Sequence, residues 1–215
     1  MDSHDLVLAR HEEDISWSKS VPQEFTLYVY ETTSKLFVSK KDYAWFQPVK
    51  SPDAGLEAGS YLRHIIDRYA LLADYTVFSQ AQPHDHMPGS YFPNKLAEYL
   101  AALEDTKNRF YPFGMLTDEI AWTSGLSSRA RRMPCNPVAE KSTEFPLMPF
   151  KKKFLPDNQT LLWKFPYGAI FGVSKRLILK HSKSFYEDIY EWCAYAPYTR
   201  ETAILERVWP QIFEG

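Results

Sequence analysis

Between residues 58 and 79 an amphipathic stretch runs directly into a buried one, and this junction limits the fold more than any other feature. Tyr61, Leu62, Ile65, Ile66, Tyr69 and Leu72 recur at helical spacing on one broad face. Tyr75–Ser79 then reads as a strand, β-branched and aromatic throughout its interior. Strand-like runs at 5–10, 25–30 and 169–173 repeat that character, with helical patterns between and after them. Strands alternating with helices predict an α/β sandwich whose central, mainly parallel sheet is flanked by helices. At 215 residues the chain suits a single domain, expected over 1–215.

The remaining elements follow from local pattern. Ile15-Ser-Trp17 predicts a short helix after the first strand. Residues 31–52 read as loop with one short strand at 35–38, and 94–103 as a helix capped by Asn94. The stretch 106–157, with its RARRM and FKKKF clusters, reads as long loops. Two strands at 161–165 and 169–173 are broken by Pro166-Tyr-Gly168. Helices are predicted at 175–181, 184–195 and 201–213, the last interrupted by Pro210. No apolar run approaches membrane-spanning length, and the N-terminus lacks the layout of a signal peptide. Cys135 and Cys193 are far apart without metal-type spacing, so a reducing, cytoplasmic compartment is expected. A formal net charge of −2 gives no reason to expect nucleic acid or a membrane surface as partner.

In a parallel sheet, ligands bind outside the carboxyl ends of the strands. Two polar segments leave strands at that end: Arg10-His-Glu-Glu-Asp14 and Gln80-Ala-Gln-Pro-His-Asp-His86. Imidazole, carboxylate and amide groups together suit Mn²⁺, Mg²⁺ or Zn²⁺. They equally suit an exposed loop whose histidines bond to backbone. A zinc hydrolase lacks support, because there is no HExxH and no third spaced ligand.

Other groups carry two readings each. Arg129-Ala-Arg-Arg132 and Lys151–Lys153 could grip a pyrophosphate, or be a solvated face. Trp163, Phe165 and Tyr167 could stack on a sugar, or form a packed strand face; aromatic residues reach 16% of the chain. Glu201 and Glu206 lie five positions apart on the last helix and so face different directions, as catalytic groups or as surface ion pairs. The absence of GxGxxG, GxxxxGK[ST] and GxSxG removes support for dinucleotide oxidoreductases, P-loop NTPases and serine hydrolases.

Four blocks, DLVLARHEEDISW, GLEAGSYLRHIIDRYALLADYTVFSQAQPHDH, WKFPYGAIFGVSKRLIL and LERVWPQIF, together resemble a glycosyltransferase-like family with a GT-A fold that includes a viral multi-domain member. The resemblance spans nearly the whole chain. It implies a UDP-sugar donor (a deoxyhexose such as rhamnose, or glucose), a glycan or glycoprotein acceptor, and Mn²⁺ or Mg²⁺. It implies a monomer or one part of a multi-domain chain, in a host's cytoplasm if the chain is viral. Donor contacts carry over to Ala9, Arg10 and Glu12 after the first strand, to Gly55 and Ser60, and to Gln80 and Gln82. The metal loop corresponds to Gln80, Gln82, His84, Asp85 and His86, with Gln80-Ala-Gln82 standing where the family has Asp-x-Asp. Leu56 stands where an arginine is expected. The acid–base role falls to Glu206 on the late helix, with Glu201 and Asp85 in reserve. The other reading is a non-catalytic module that binds a nucleotide or glycan in the same cleft.

Overall fold

The computed structural model describes residues 2–31, 46–50, 56–106, 109–116, 120–121, 147–155, 162–193 and 200–214. Among these, the strands are β1 (His4–Arg10), β2 (Phe25–Glu31), β3 (Phe46–Lys50), β4 (Tyr75–Gln80), β5 (Tyr111–Pro112), β6 (Ile120–Ala121), β7 (Leu162–Trp163) and β8 (Phe171–Ser174). Six form one sheet in the order β3-β2-β1-β4-β8-β5, and β6 pairs with β7 separately. Four neighbouring strands, β3, β2, β1 and β4, are mutually parallel, while β8 runs antiparallel to β4 and to β5. The fold is therefore α/β with a mixed sheet, parallel where the first hundred residues build it.

β1, β2 and β4 each serve two cores because side chains alternate across a sheet. Val7, Tyr28, Tyr30, Phe78 and Phe171 face one core. Leu6, Leu8, Leu27, Val29 and Val77 face the other. The first face is covered by α1 (Leu56–Asp67), α5 (Lys175–Ile178), α6 (Lys183–Cys193) and α7 (Arg200–Glu214). The second is covered by α2 (Phe92–Ala101), through Phe92, Leu96 and Tyr99, and by Ile15 at the start of a 3-10 turn over Ser16–Ser20. Two further helices are α3 (Leu103–Thr106) and α4 (Leu147–Phe154).

Several expectations need correction. The loop expected over 31–52 contains β3, and Pro48 sits inside that strand, opposite Val29. β3 is an edge strand, where a residue without an N–H costs little, so proline did not exclude it. The strand expected at 35–38 lies outside the described residues. The FKKKF cluster is the last part of α4 rather than loop, anchored by buried Phe150 and Phe154. α2 starts two residues before Asn94, and Pro93 in its first turn fixes a helical φ without wasting a donor. The helix predicted over 58–72 divides into α1 and a 3-10 turn at Tyr69–Leu71.

The topology also defines a rim. From β1 the chain builds outward through β2 and β3, then crosses back by α1 to place β4 on β1's other side. Strand order thus reverses between β1 and β4, and loops leaving their carboxyl ends must diverge there.

Candidate functional site

Both predicted loops emerge at this switch point. Ala9 pairs with Gln80, and the Ala9 carbonyl accepts the Ala81 N–H at 2.9 Å, which locks the two strand ends together. Beyond that point the loops behave differently.

On the β1 side, Arg10 turns back into the protein. Its Nη1 donates to both carboxylate oxygens of Glu31, at 2.7 and 3.0 Å, and its Nε donates to the Glu13 carbonyl at 2.7 Å. Glu31 is fully buried, and desolvation pushes its carboxyl up despite the guanidinium that pulls it down. Arg10 is thus at the rim but engaged in a buried ion pair. Glu12 is exposed; its N–H, like that of His11, donates to the Glu13 carboxylate.

On the β4 side, residues 83–86 form a 3-10 turn. Three consecutive residues of such a turn project about 120° apart, so His84, Asp85 and His86 diverge. His84 turns under α2, where its Nε2 accepts the Phe92 N–H at 3.3 Å. Its ring stacks on Tyr91 and meets the edge of Trp17. Asp85 and Gln82 are exposed, and the Gln82 carbonyl accepts the Gln80 side-chain amide at 3.3 Å. Among the described residues, no three His, Cys, Asp or Glu side chains assemble into a group that could hold a metal ion. The five-residue ligand set does not fit a protein cage around Mn²⁺ or Mg²⁺. His84 is held by a helix end, and only Gln80 and His86 come together.

Those two meet at Gly168. With φ at +72°, this residue occupies a conformation that favours glycine, in a 3-10 turn just before β8. A Cβ there would lie 2.6 Å from the His86 ring and 3.1 Å from Gln80 Nε2. The Gly168 N–H in turn donates to Glu206 Oε1 at 2.9 Å. A glycine without a side chain therefore joins the β4 loop to the carboxylate of the last helix. Glu206 keeps 20% of its side chain exposed, and its Oε2 lies 3.9 Å from Arg207 Nη1, whose guanidinium covers the Phe165 ring.

A second carboxylate approaches from α1. Glu57 stands in that helix's first turn, partly buried, and desolvation together with the charge of Glu206 pushes its carboxyl up to about 7. Tyr61, one turn further on, is fully buried, and its phenol is raised well above its usual value by burial, Glu57 and Glu206. The Tyr61 ring lies 6.2 Å from that of Trp209 on α7. Ser60 is buried beside them, and its Oγ has no hydrogen-bond partner among the described residues.

The family described as a protein of unknown function (DUF3431) matches residues 6–215. The chain belongs to that family. No curated protein matches it significantly.

Of the residues expected at a site, Gln80, His86 and Glu206 converge; Ala9 holds the rim, Arg10 is engaged with Glu31 and His84 with the start of α2, and Glu12, Gln82 and Asp85 are exposed. Gly55 and the side chain of Glu201 lie outside the described residues, as do Arg129–Arg132 and the side chain of Trp163. Lys151–Lys153 end α4, where Lys153 lies over the Phe154 ring. Sequence reasoning missed Glu57, Tyr61 and Gly168. A usable signal existed for the first two: a glutamate four positions before a tyrosine, on the face that carries the apolar stripe of α1.

Proposed function

We propose that this rim is the active site of a glycosyltransferase with a GT-A-like fold that moves a sugar from a UDP-sugar to a hydroxyl of a glycan. The observation that carries the reading is the link from His86 and Gln80 through Gly168 to Glu206. It sets a carboxylate of the last helix opposite the loop that leaves β4 at the switch point. The nucleotide sits along the carboxyl ends of β1 and β4. Glu206 takes the proton from the acceptor hydroxyl as that oxygen bonds to the sugar's anomeric carbon. The bond from that carbon to the UDP phosphate breaks, and its electron pair leaves on UDP. Gly168 fixes one Glu206 oxygen in place, and the side chain keeps a fifth of its surface exposed for an acceptor to approach.

The test is calorimetry with UDP, followed by UDP release from UDP-glucose and UDP-rhamnose with a glycan acceptor. Glu206→Gln should bind UDP as the wild type does while transfer falls by ~10²–10⁴-fold. Unimpaired transfer removes Glu206 from the chemistry. The second reading, a binding module, draws on Arg10. A guanidinium engaged with buried Glu31 is poorly placed to grip a diphosphate. That reading predicts retained ligand and no release of UDP.

A further inference from the structure

The formal net charge of −2 conceals a local asymmetry at the end of the sheet away from the rim. From Lys175 to Lys183 the sequence KRLILKHSK carries four lysine and arginine residues and no carboxylate. This segment leaves β8 directly after Ser174, which pairs with Tyr75 at the amino end of β4. The chain that enters β4 therefore lies beside it. Two hydrogen bonds fix the arrangement: the Lys175 N–H donates to the Asp74 carbonyl at 2.9 Å, and the Tyr69 hydroxyl donates to the His181 carbonyl. The two segments thus run in opposite directions, 74 against 175 and 69 against 181, with Leu71 and Leu179 between the clamps. Those leucines are 70% and 41% exposed. A 3-10 turn over Tyr69–Leu71, its last carbonyl held by Arg68 Nη2 at 3.4 Å, turns Leu71 outward while Leu72 enters the core. Arg176, Lys180 and Lys183, on either side of Leu179 in the chain, are exposed as well.

A single exposed leucine is ordinary, but two on clamped neighbouring segments within a basic surround are not. We propose that this face, built from residues 68–74 and 175–183, docks peripherally on an anionic lipid bilayer. Lipid phosphates and carboxylates meet Arg176, Lys180 and Lys183, while Leu71 and Leu179 enter the boundary between headgroups and acyl chains. Charge complementarity selects an anionic partner, and the leucines select among anions. A nucleic acid backbone gives them nothing to enter, whereas a bilayer does. Two carboxylates offset part of the charge: Asp74, which accepts the N–H and hydroxyl of Ser3 at 2.8 and 2.9 Å, and Glu187, 3.5 Å from Lys183. An excess of positive charge remains, centred on Arg176 and Lys180. The docking does not depend on the glycosyl-transfer reading. It leaves the carboxyl ends of β1 and β4 at the far end of the sheet, facing away from the lipid.

The test is co-sedimentation of the full chain with phosphatidylcholine vesicles, with and without phosphatidylserine, at low and high salt. The protein should partition onto the anionic vesicles, stay in solution with the neutral ones, and come off as salt rises. Arg176→Gln should weaken the partition about fivefold, and Arg176→Gln with Lys183→Gln about 25-fold. Leu71→Ser with Leu179→Ser should weaken it about tenfold. Lys95→Gln, on α2 across the sheet, should bind as the wild type does. All these side chains lie at the surface, so every variant should melt with the wild type. No binding to anionic vesicles, equal binding to neutral ones, or an equal loss in Lys95→Gln would overturn the proposal. Loss in the charge variants with full binding by the leucine double variant would assign the face to a nucleic acid or an acidic protein, and would overturn the lipid. A lower melting temperature in the leucine double variant would mean that those side chains are packed within the protein, and would overturn it as well.

Discussion

Arg10 shows how a residue at the right place can do a different job. Its guanidinium stands at the end of β1, but Glu31 beside it is fully buried and holds both contacts of Nη1. Removing one partner of a buried pair strands the other charge, which costs about 3–5 kcal/mol. Arg10→Ala should therefore lower folding stability by that amount in urea titration, well before any change in ligand affinity is measured. The double variant Arg10→Met with Glu31→Leu should recover most of the loss; if it does not, the pair is not the cause. Gly168 makes the opposite case, because its missing side chain is what the site uses. Gly168→Ala must hold alanine at φ +72° and push a methyl to 2.6 Å from the His86 ring. Left-handed strain and this displacement together should cost about 1–3 kcal/mol in urea titration, and His86 should shift in its NMR spectrum. An unchanged His86 signal would separate the two sides of the rim.

At the scale of elements, the turn after β4 divides its histidines between two tasks. His84 satisfies an N–H at the start of α2, a group that the helix itself cannot pair. His84→Ala should cost about 1–2 kcal/mol through the lost bond and the lost stacking on Tyr91, with little effect on UDP affinity. A loss of UDP affinity without a loss of stability would return His84 to the ligand set. Sequence could not separate the two histidines, because His-x-His looks the same whether its rings serve a helix end or a cleft. By contrast β1, β2, β4 and β8 were legible, since each is an apolar run buried on both faces. β3 was hidden by Pro48, whose acceptability depends on an edge position that only the assembled sheet defines. α4 was hidden by three consecutive lysines, because two phenylalanines suffice to bury one side of a short helix. Glu206 was found by its block on the late helix, whereas Glu57 was not. Its significance depends on a carboxylate about 150 positions away in the chain, brought near by the α1–α7 packing.

Across the whole molecule, the packing of α1 on the sheet and on α7 buries two titratable groups that pull stability in opposite directions with pH. His64 is fully buried between Tyr30, whose hydroxyl lies 3.1 Å from Nδ1, and Asp5, 3.5 Å from Nε2. Burial depresses its pKa, although Asp5 opposes the shift. The unfolded chain then binds a proton more readily than the folded one, so the His64 contribution is intact above about pH 6.5 and declines as pH falls. Glu57 has the reverse sign. Its folded value near 7 lies above its ordinary 4.5, so its contribution is full below 4.5 and is lost as pH rises through 7. Glutamine at position 57 keeps the shape and cannot ionise, so it should remove only the alkaline half of this profile. Melting temperatures of Glu57→Gln and the wild type should therefore coincide at pH 4.5. By pH 8 the variant should lie higher, by the equivalent of about 1–3 kcal/mol. The acid-side decline below pH 6.5 should persist in the variant, since His64 is untouched. A Glu57→Gln curve parallel to the wild type from pH 4.5 to 8 would place the Glu57 carboxyl in water.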